Sequence, residues 1–315
     1  MKEDWVPRVL VLMGTYNGEQ FLECQVDSIL KQEKVRVDLM ICDDGSTDNT
    51  LHIMDMLSVK YNNIICIRNT ENKGVARNFM DMVYSANLEQ YDYFAFSDQD
   101  DYWLPNKLDK AISRLKDKAN EPALYYSDIT NVTSDFQLIS DTVYKAFQSS
   151  IDNMKLLLVN NWASGCTMVF NSKLCQLLQI YKPKEYYRIH DSWVHMVALS
   201  CGVCVADLSN SYIKRRITGK NVVGESHFGK VNSRRLLGAL KHFRNSDHFS
   251  TNAAKELLQG YSNQMHCETK PVVENFIAMR TSLRQRIKAA VDSDFSFPWK
   301  KETILLKLRI LLNQL

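Results

Sequence analysis

No apolar run in the 315 residues approaches the roughly 20 that a membrane-spanning helix requires. The opening residues, Met1 to Trp5, are charged and lead straight into a strand-like stretch, so no secretory leader is expected there. The first strand is not followed by G-x-G-x-x-G, and G-x-x-x-x-G-K-[ST] occurs nowhere, which disfavours the usual dinucleotide and P-loop readings. Among eight scattered cysteines only Cys201 and Cys204 stand at C-x-x-C spacing. With no second pair this is weak evidence for zinc, and the expectation is reduced, mostly buried thiols in the cytosol. What remains is an ordinary soluble composition, 45% hydrophobic and 24% charged, with enough material for one large domain or two smaller ones.

Charge is unevenly spread. Residues 1–225 hold 24 Lys and Arg against 29 Asp and Glu, whereas residues 226–315 hold 15 against 7. The expected organisation is therefore a mildly acidic body over 1–225 and a basic helical region over 226–315. Such asymmetry suits an anionic partner, either membrane or nucleic acid. The basic region carries no nucleic-acid recognition motif and no interleaved aromatics, so nucleic acid is set aside.

Strand and helix patterns alternate four times in the first 110 residues. Arg8 to Met13 is a continuous apolar run suited to a parallel strand covered on both faces, and a helix follows over Glu19 to Gln32. Val37 to Cys42 is a second strand, with a helix over about Asp48 to Lys60 that Ser46 or Thr47 could cap. Ile64 to Arg68 is a third, before a helix from Gly74; Tyr93 to Ser97 is the fourth, before a helix from about Pro105. This alternation predicts an α/β fold with a parallel sheet, which binds ligands outside the carboxyl ends of its strands. Three of the four strands end in polar clusters at that edge: Thr15-Tyr16-Asn17, Asp43-Asp44 and Asp98 to Asp101.

Three carboxylates within four residues repel one another and are costly to desolvate, a conflict that Mg²⁺ or Mn²⁺ would remove. The blander alternative is a solvated acidic turn ahead of a helix. A nucleotide site built from side chains fits the set: the Tyr16 ring against a base, Asp44 accepting from a pyrimidine imide N–H, and a metal near Asp100 taking a diphosphate.

In order and spacing, Val9 to Gly18 (VLVLMGTYNG), Cys42 to Asp48 (CDDGSTD), Asn72 to Asn78 (NKGVARN) and Ser97 to Pro105 (SDQDDYWLP) resemble family 2 glycosyltransferases over roughly residues 8–225. The Ser-Asp-Gln-Asp-Asp-x-Trp-x-Pro form is especially similar to bacterial rhamnosyltransferases of capsule and cell-wall polysaccharide synthesis. The resemblance implies a GT-A, Rossmann-like fold and an inverting, metal-dependent transfer from a dTDP- or UDP-sugar donor to a lipid-linked saccharide. Carried over by position, it implies Thr15, Tyr16 and Asn17 at the nucleoside, Asp44 on the base, and Asp43 supporting the turn. Gly74 and Arg77 would follow the diphosphate, Asp98 would meet the ribose or a metal-bound water, and Asp100 would be the principal metal ligand. For Asp101 a helix cap, and for Trp103 packing beneath that helix, compete with any functional role.

Asn160 to Asn171 resembles the strand that passes the acceptor; Gly165 would permit close backbone approach, and Trp162 would stack on a sugar or fill the core. The resemblance places the general base at Asp191, with His190 orienting it or binding substrate and Trp193 beside them. In the basic run from Ser211 to Gly224, Arg216 takes the arginine position of a loop that closes over the diphosphate. Thr218 stands where the family often has histidine, and Lys214, Arg215 and Lys220 supply further charge. Four helices are expected beyond residue 226: Leu236 to Phe243, Ala253 to Tyr261, Val272 to Val291 and Lys300 to Leu315. The last carries Ile304, Leu308, Leu311, Leu312 and Leu315 on one stripe beside Lys300, Lys301, Lys307 and Arg309, and would lie on an anionic membrane or pack as a bundle. A peripheral position at the inner face of the cell membrane follows from the first option, and a homo-oligomer is compatible with the sequence.

Overall fold

The computed structural model describes residues 6–218 and 248–315. Its first half alternates as expected: β1 (Arg8–Thr15), α1 (Leu22–Leu30), β2 (Arg36–Asp43), α2 (Thr50–Lys60), β3 (Ile64–Arg68), α3 (Val75–Ser85) and β4 (Tyr93–Ser97). A two-residue β5 (Tyr102–Trp103) and α4 (Lys107–Leu115) follow, then β6 (Ala123–Val132), β7 (Leu138–Ser140), α5 (Met154–Leu157), β8 (Val169–Asn171), α6 (Ser172–Gln179), α7 (His190–Cys201) and β9 (Val203–Arg216). The C-terminal helices are α8 (Phe249–Tyr261), α9 (Thr269–Ala278), α10 (Leu283–Val291) and α11 (Lys300–Leu311). The expected helix over Leu236 to Phe243 lies outside the described residues.

The strands join one sheet in the order β3-β2-β1-β4-β8-β6-β9-β5, with β7 hydrogen-bonded to β6. β1 is parallel to β2 and β4, and β2 to β3, while β8 runs antiparallel between β4 and β6. Val9 to Met13 in β1 and Phe94 to Phe96 in β4 are completely or almost completely buried, because both faces of these central strands are covered. The register pairs Met13 of β1 with Ile41 of β2 and with Ser97 of β4, so three strands end side by side at one edge.

Local details depart from the sequence expectations. Neither Ser46 nor Thr47 caps α2. The Ser46 hydroxyl turns back to Asp43, and it is Asp48 Oδ1 that accepts from the Thr50 amide at 3.0 Å. Asp101 caps nothing either, since α4 starts only at Lys107 after Asn106. The long helix over Val272 to Val291 is two helices, because Ser282 leaves the helix and its hydroxyl caps α10 by accepting from Gln285. Cys201 ends α7, Cys204 lies in β9, and all eight cysteines are free thiols.

The C-terminal helices rest on the body through specific contacts. Tyr261 is buried beside Trp193 at 6.1 Å between ring centroids, and Lys155 bridges Asp292 and Asp294 at 2.8 and 2.7 Å. Of the apolar stripe expected along the last helix, Ile304, Leu308, Leu311 and Leu312 remain exposed and Leu315 is buried; the helix packs instead through Leu306 and Ile310. Among the described residues no helix is long and apolar enough to cross a membrane.

Candidate active site

The loops leaving β1, β2 and β4 meet the N-terminus of α7 around a cavity of about 390 Å³. Thr15, Tyr16, Asp44, Gly74, Asp98, Asp100, Gly165, His190 and Asp191 all face it. Most of the residues singled out in the sequence are thus gathered from segments more than 170 positions apart.

Each is held for a local reason. Gln99, between two acidic residues of the β4 loop, reaches across to the end of β1: its Oε1 accepts from the Thr15 hydroxyl and the Tyr16 amide, and its Nε2 donates to the Tyr16 carbonyl at 3.0 Å. These bonds fix the acidic loop against Tyr16, whose ring is half exposed at the cavity. Asp43 closes its own turn, accepting from the Gly45 and Ser46 amides at 3.0 and 2.9 Å. Asp44 is buried and organises the next loop. Its Oδ1 accepts from Asn69 Nδ2 and the Lys73 amide, and its Oδ2 from the Gly74 amide, each at 2.9 Å. Gly74 adopts φ +81°, a backbone region that L side chains rarely occupy, at the entry to α3.

Opposite this wall stands Asp191, in the first turn of α7. Its carboxylate accepts from the Gly165 amide at 3.1 Å and from the Ser192 amide. Burial pushes its pKa up to about 6, with those amides opposing the rise. Gly165 is required by sterics as well: a Cβ there would sit 2.6 Å from His190 Nε2. His190 stacks on Phe79 at 3.9 Å and meets the edge of Phe96 at 4.9 Å, and neither ring nitrogen has a hydrogen-bond partner. Burial lowers its pKa to about 3, so it is a neutral aromatic wall. It does not orient Asp191 through a hydrogen bond.

The acidic loop is strongly self-opposed. Asp98 is pushed up to about 7 by burial and by the nearby charges of Asp100 and Asp191, and Asp100 is raised chiefly by burial. Asp101 is fully buried with neither oxygen hydrogen-bonded, and burial followed by Asp98 and Asp100 raises it further. A ligand atom from each of Asp98, Asp101 and Cys166 lies within 4.8 Å of the others. Clustered carboxylate oxygens, one pair buried and unpartnered, suit a hard divalent cation. Asp100 lines the cavity beside this trio and is not one of its members.

Several expectations need correction. Arg216 does not face the cavity: it is buried, donates from Nη1 to the Asp100 and Asp101 carbonyls at 2.8 and 3.0 Å, and lies over the Phe21 and Phe136 rings. The neighbouring Arg215 lines the cavity instead, because successive strand residues point to opposite faces. Trp162 is fully buried, stacked on Phe147 at 5.5 Å with its indole N–H donating to Tyr126, so it belongs to the core. Trp193 is buried towards Tyr261 and Trp103 is likewise core. Asn17 braces one turn on another, its Oδ1 accepting from the Thr47 amide at 2.8 Å, and does not line the cavity. Arg77 is exposed and outside the lining, and Lys220 lies outside the described residues. Gln99, Phe79 and Asn78 carried no sequence signal strong enough to mark them as lining residues, whereas Arg215 stood in the basic run expected to supply charge there.

Comparison with known proteins gives these features a context. The profile described as "Glycosyl transferase family 2" matches residues 10–176. A dTDP-rhamnosyl transferase, RfbG of Shigella flexneri, is 45% identical over 105 residues, 33% of this chain and 36% of the relative. WfaP of Escherichia coli, named a UDP-Glc:alpha-D-GlcNAc-diphosphoundecaprenol beta-1,3-glucosyltransferase, is 35% identical over 106 residues, 33% of this chain and 39% of the relative. The matched stretch thus spans well under half the length of these two relatives. Among solved structures, a mannosyltransferase from Pyrobaculum calidifontis in complex with GDP-Man and Mn²⁺ matches with TM-score 0.57 at 13% identity, covering 98% of this chain and 86% of that one. S. aureus TarS 1-349 in complex with UDP-GlcNAc matches with TM-score 0.54 at 16% identity, covering 96% and 90%. These structural likenesses establish a shared fold.

Proposed function

The chain belongs to glycosyl transferase family 2, and from that premise we propose that it is an inverting, metal-dependent transferase of cell-surface polysaccharide synthesis. It moves rhamnose from dTDP-rhamnose to a lipid-linked saccharide. The observation that carries this reading is the facing of Asp191 and the Asp98–Asp100 loop across one cavity. In that space the acceptor hydroxyl gives its proton to Asp191 as its oxygen bonds to the anomeric carbon. The bond from that carbon to the donor diphosphate breaks, and the electron pair leaves with the diphosphate. A carboxylate with pKa about 6 is largely ionised at neutral pH yet basic enough to take the proton.

Tyr16 and Thr15 take the nucleoside, Asp44 the base through the lone pairs its loop leaves free, and Gly74 allows the chain to pass close to the donor. Asp98 and Asp100, with Asp101 behind them, would hold Mg²⁺ or Mn²⁺, whose charge favours departure of the diphosphate. Arg215 adds a fixed positive charge to the same wall. In this reading residues 1–225 form the catalytic domain, and residues 226–315 form a basic helical region that works at the inner face of the cell membrane.

The donor choice leans on the rhamnosyl relative; the glucosyl relative favours a second reading, a UDP-hexose donor. Thermal shift and donor hydrolysis with dTDP-rhamnose, UDP-glucose and UDP-galactose, each with and without Mn²⁺, separate them. Response to dTDP-rhamnose alone supports the first reading and response to a UDP-hexose the second. No response to any nucleotide sugar would leave a non-catalytic module and refute both.

A further inference from the structure

We propose that the outer face of the α10–α11 hairpin is a docking surface for an anionic lipid bilayer, with both helices lying in the interface and none crossing it. α10 buries Ala289, packs on its neighbouring C-terminal helices and leaves Leu283, Ile287 and Val291 exposed, at 57%, 50% and 77%. Their i, i+4, i+8 spacing makes one continuous stripe. α11 packs beside it, buries Leu306 and Ile310, and leaves Ile304, Leu308 and Leu312 exposed at 60%, 45% and 54%. Large exposed apolar side chains on two adjoining helices are a cost in water that scattered ones are not, and they mark an interaction surface.

Charge selects the occupant. Residues 280–315 hold eight Lys and Arg against three Asp and Glu, and two of those acids, Asp292 and Asp294, are committed to Lys155. Arg284 and Lys288 flank the α10 stripe, Lys300 and Lys301 begin α11, and none of these four enters an ion pair among the described residues. A second copy of the chain meeting this face would set like charges against like. An anionic headgroup layer meets both features at once: lipid phosphates pair with the cations while the apolar stripes enter the acyl boundary. Unlike the stripe expected along the last helix alone, this face is shared by two helices, and Leu315 is not part of it. The surface stands on its own residues; its use in presenting a lipid-linked acceptor rests on the proposed function.

Flotation of the full chain with vesicles of phosphatidylcholine containing 30% phosphatidylglycerol, and with phosphatidylcholine alone, tests it. The expected result is binding to the anionic vesicles that weakens with salt. The paired variant Ile287→Asp with Leu308→Asp should reduce it at least tenfold, and Lys300→Glu with Lys301→Glu should reduce it severalfold. These positions are exposed, so far-ultraviolet circular dichroism and donor hydrolysis in solution should match the parent. No binding to anionic vesicles, equal binding to neutral ones, or binding undiminished in the paired apolar variant would overturn the proposal. So would a dimer in sedimentation that the apolar variant disperses, in the absence of vesicle binding. Vesicle binding without any donor hydrolysis would sink the transferase reading and leave the docking surface standing.

Discussion

Replacing Asp191 by Asn separates what its carboxylate does from what it costs. Burial raises its pKa from 3.8 to about 6. The folded state therefore holds a proton at Asp191 through a pH range in which the unfolded chain has lost it. The stability cost appears as pH rises above 4, grows until about 6, and is constant beyond. At about 1.4 kcal/mol per pKa unit, the group costs the folded state about 3 kcal/mol at pH 7.5 and almost nothing at pH 3.5. The amide cannot accept from both the Gly165 and Ser192 amides, so the variant also loses about 1 kcal/mol, but that loss does not vary with pH. Between pH 3.5 and 7.5 the variant should gain about 3 kcal/mol relative to the parent, roughly 4–5 °C in Tm for a chain of this length. Relief of Asp98, which Asp191 also raises, acts in the same direction. Thermal denaturation across that range, in chelator, reads the difference directly. Turnover should fall by about 10² to 10⁴. Parallel stability curves for parent and variant, or turnover within a factor of ten, would refute the reasoning.

Mn²⁺ should raise Tm at pH 7.5 and much less at pH 5, where Asp98, raised to about 7, holds a proton; Asp98→Asn should blunt the effect, as differential scanning fluorimetry would show. Gly165→Ala drives a methyl against His190, which Phe79 holds from the other side, and should cost about 1–3 kcal/mol and at least tenfold in turnover. Arg216→Lys replaces a planar fork by a point charge. It should lower kcat and weaken Mn²⁺ affinity, since the carbonyls of Asp100 and Asp101 lose their clamp, while the KM for donor changes less; steady-state kinetics with a metal titration checks this.

The alternating first half was legible because each of β1, β2 and β4 is short, apolar and followed at once by polar residues. The convergence of Thr15, Asp44 and Asp98 follows from parallel strands ending at one edge. Asp191 was legible through its motif and Gly165 through its lack of a side chain. Arg216 and Arg215 were exchanged because the facing of a strand depends on register, which a run of three basic residues does not disclose. Trp162 and Trp193 illustrate the ambiguity of aromatics near a site, which burial settles and sequence does not. Gln99 was hidden for a different reason: its role is a hydrogen bond across 83 residues to Tyr16, invisible to local pattern. The division of the last helix into buried and exposed apolar residues depends on what it packs against.

The central claim is that Asp191 accepts the proton of an acceptor hydroxyl while the opposite wall holds a nucleotide sugar. Transfer of labelled sugar from dTDP-rhamnose or UDP-glucose to a lipid-linked acceptor, in the parent and in Asp191→Asn, tests it most directly. Labelled lipid product is expected with the parent, and with the variant undiminished donor binding but product formation slower by about 10² to 10⁴. Comparable product from the variant, or a parent that neither binds nor transfers any donor, would contradict it.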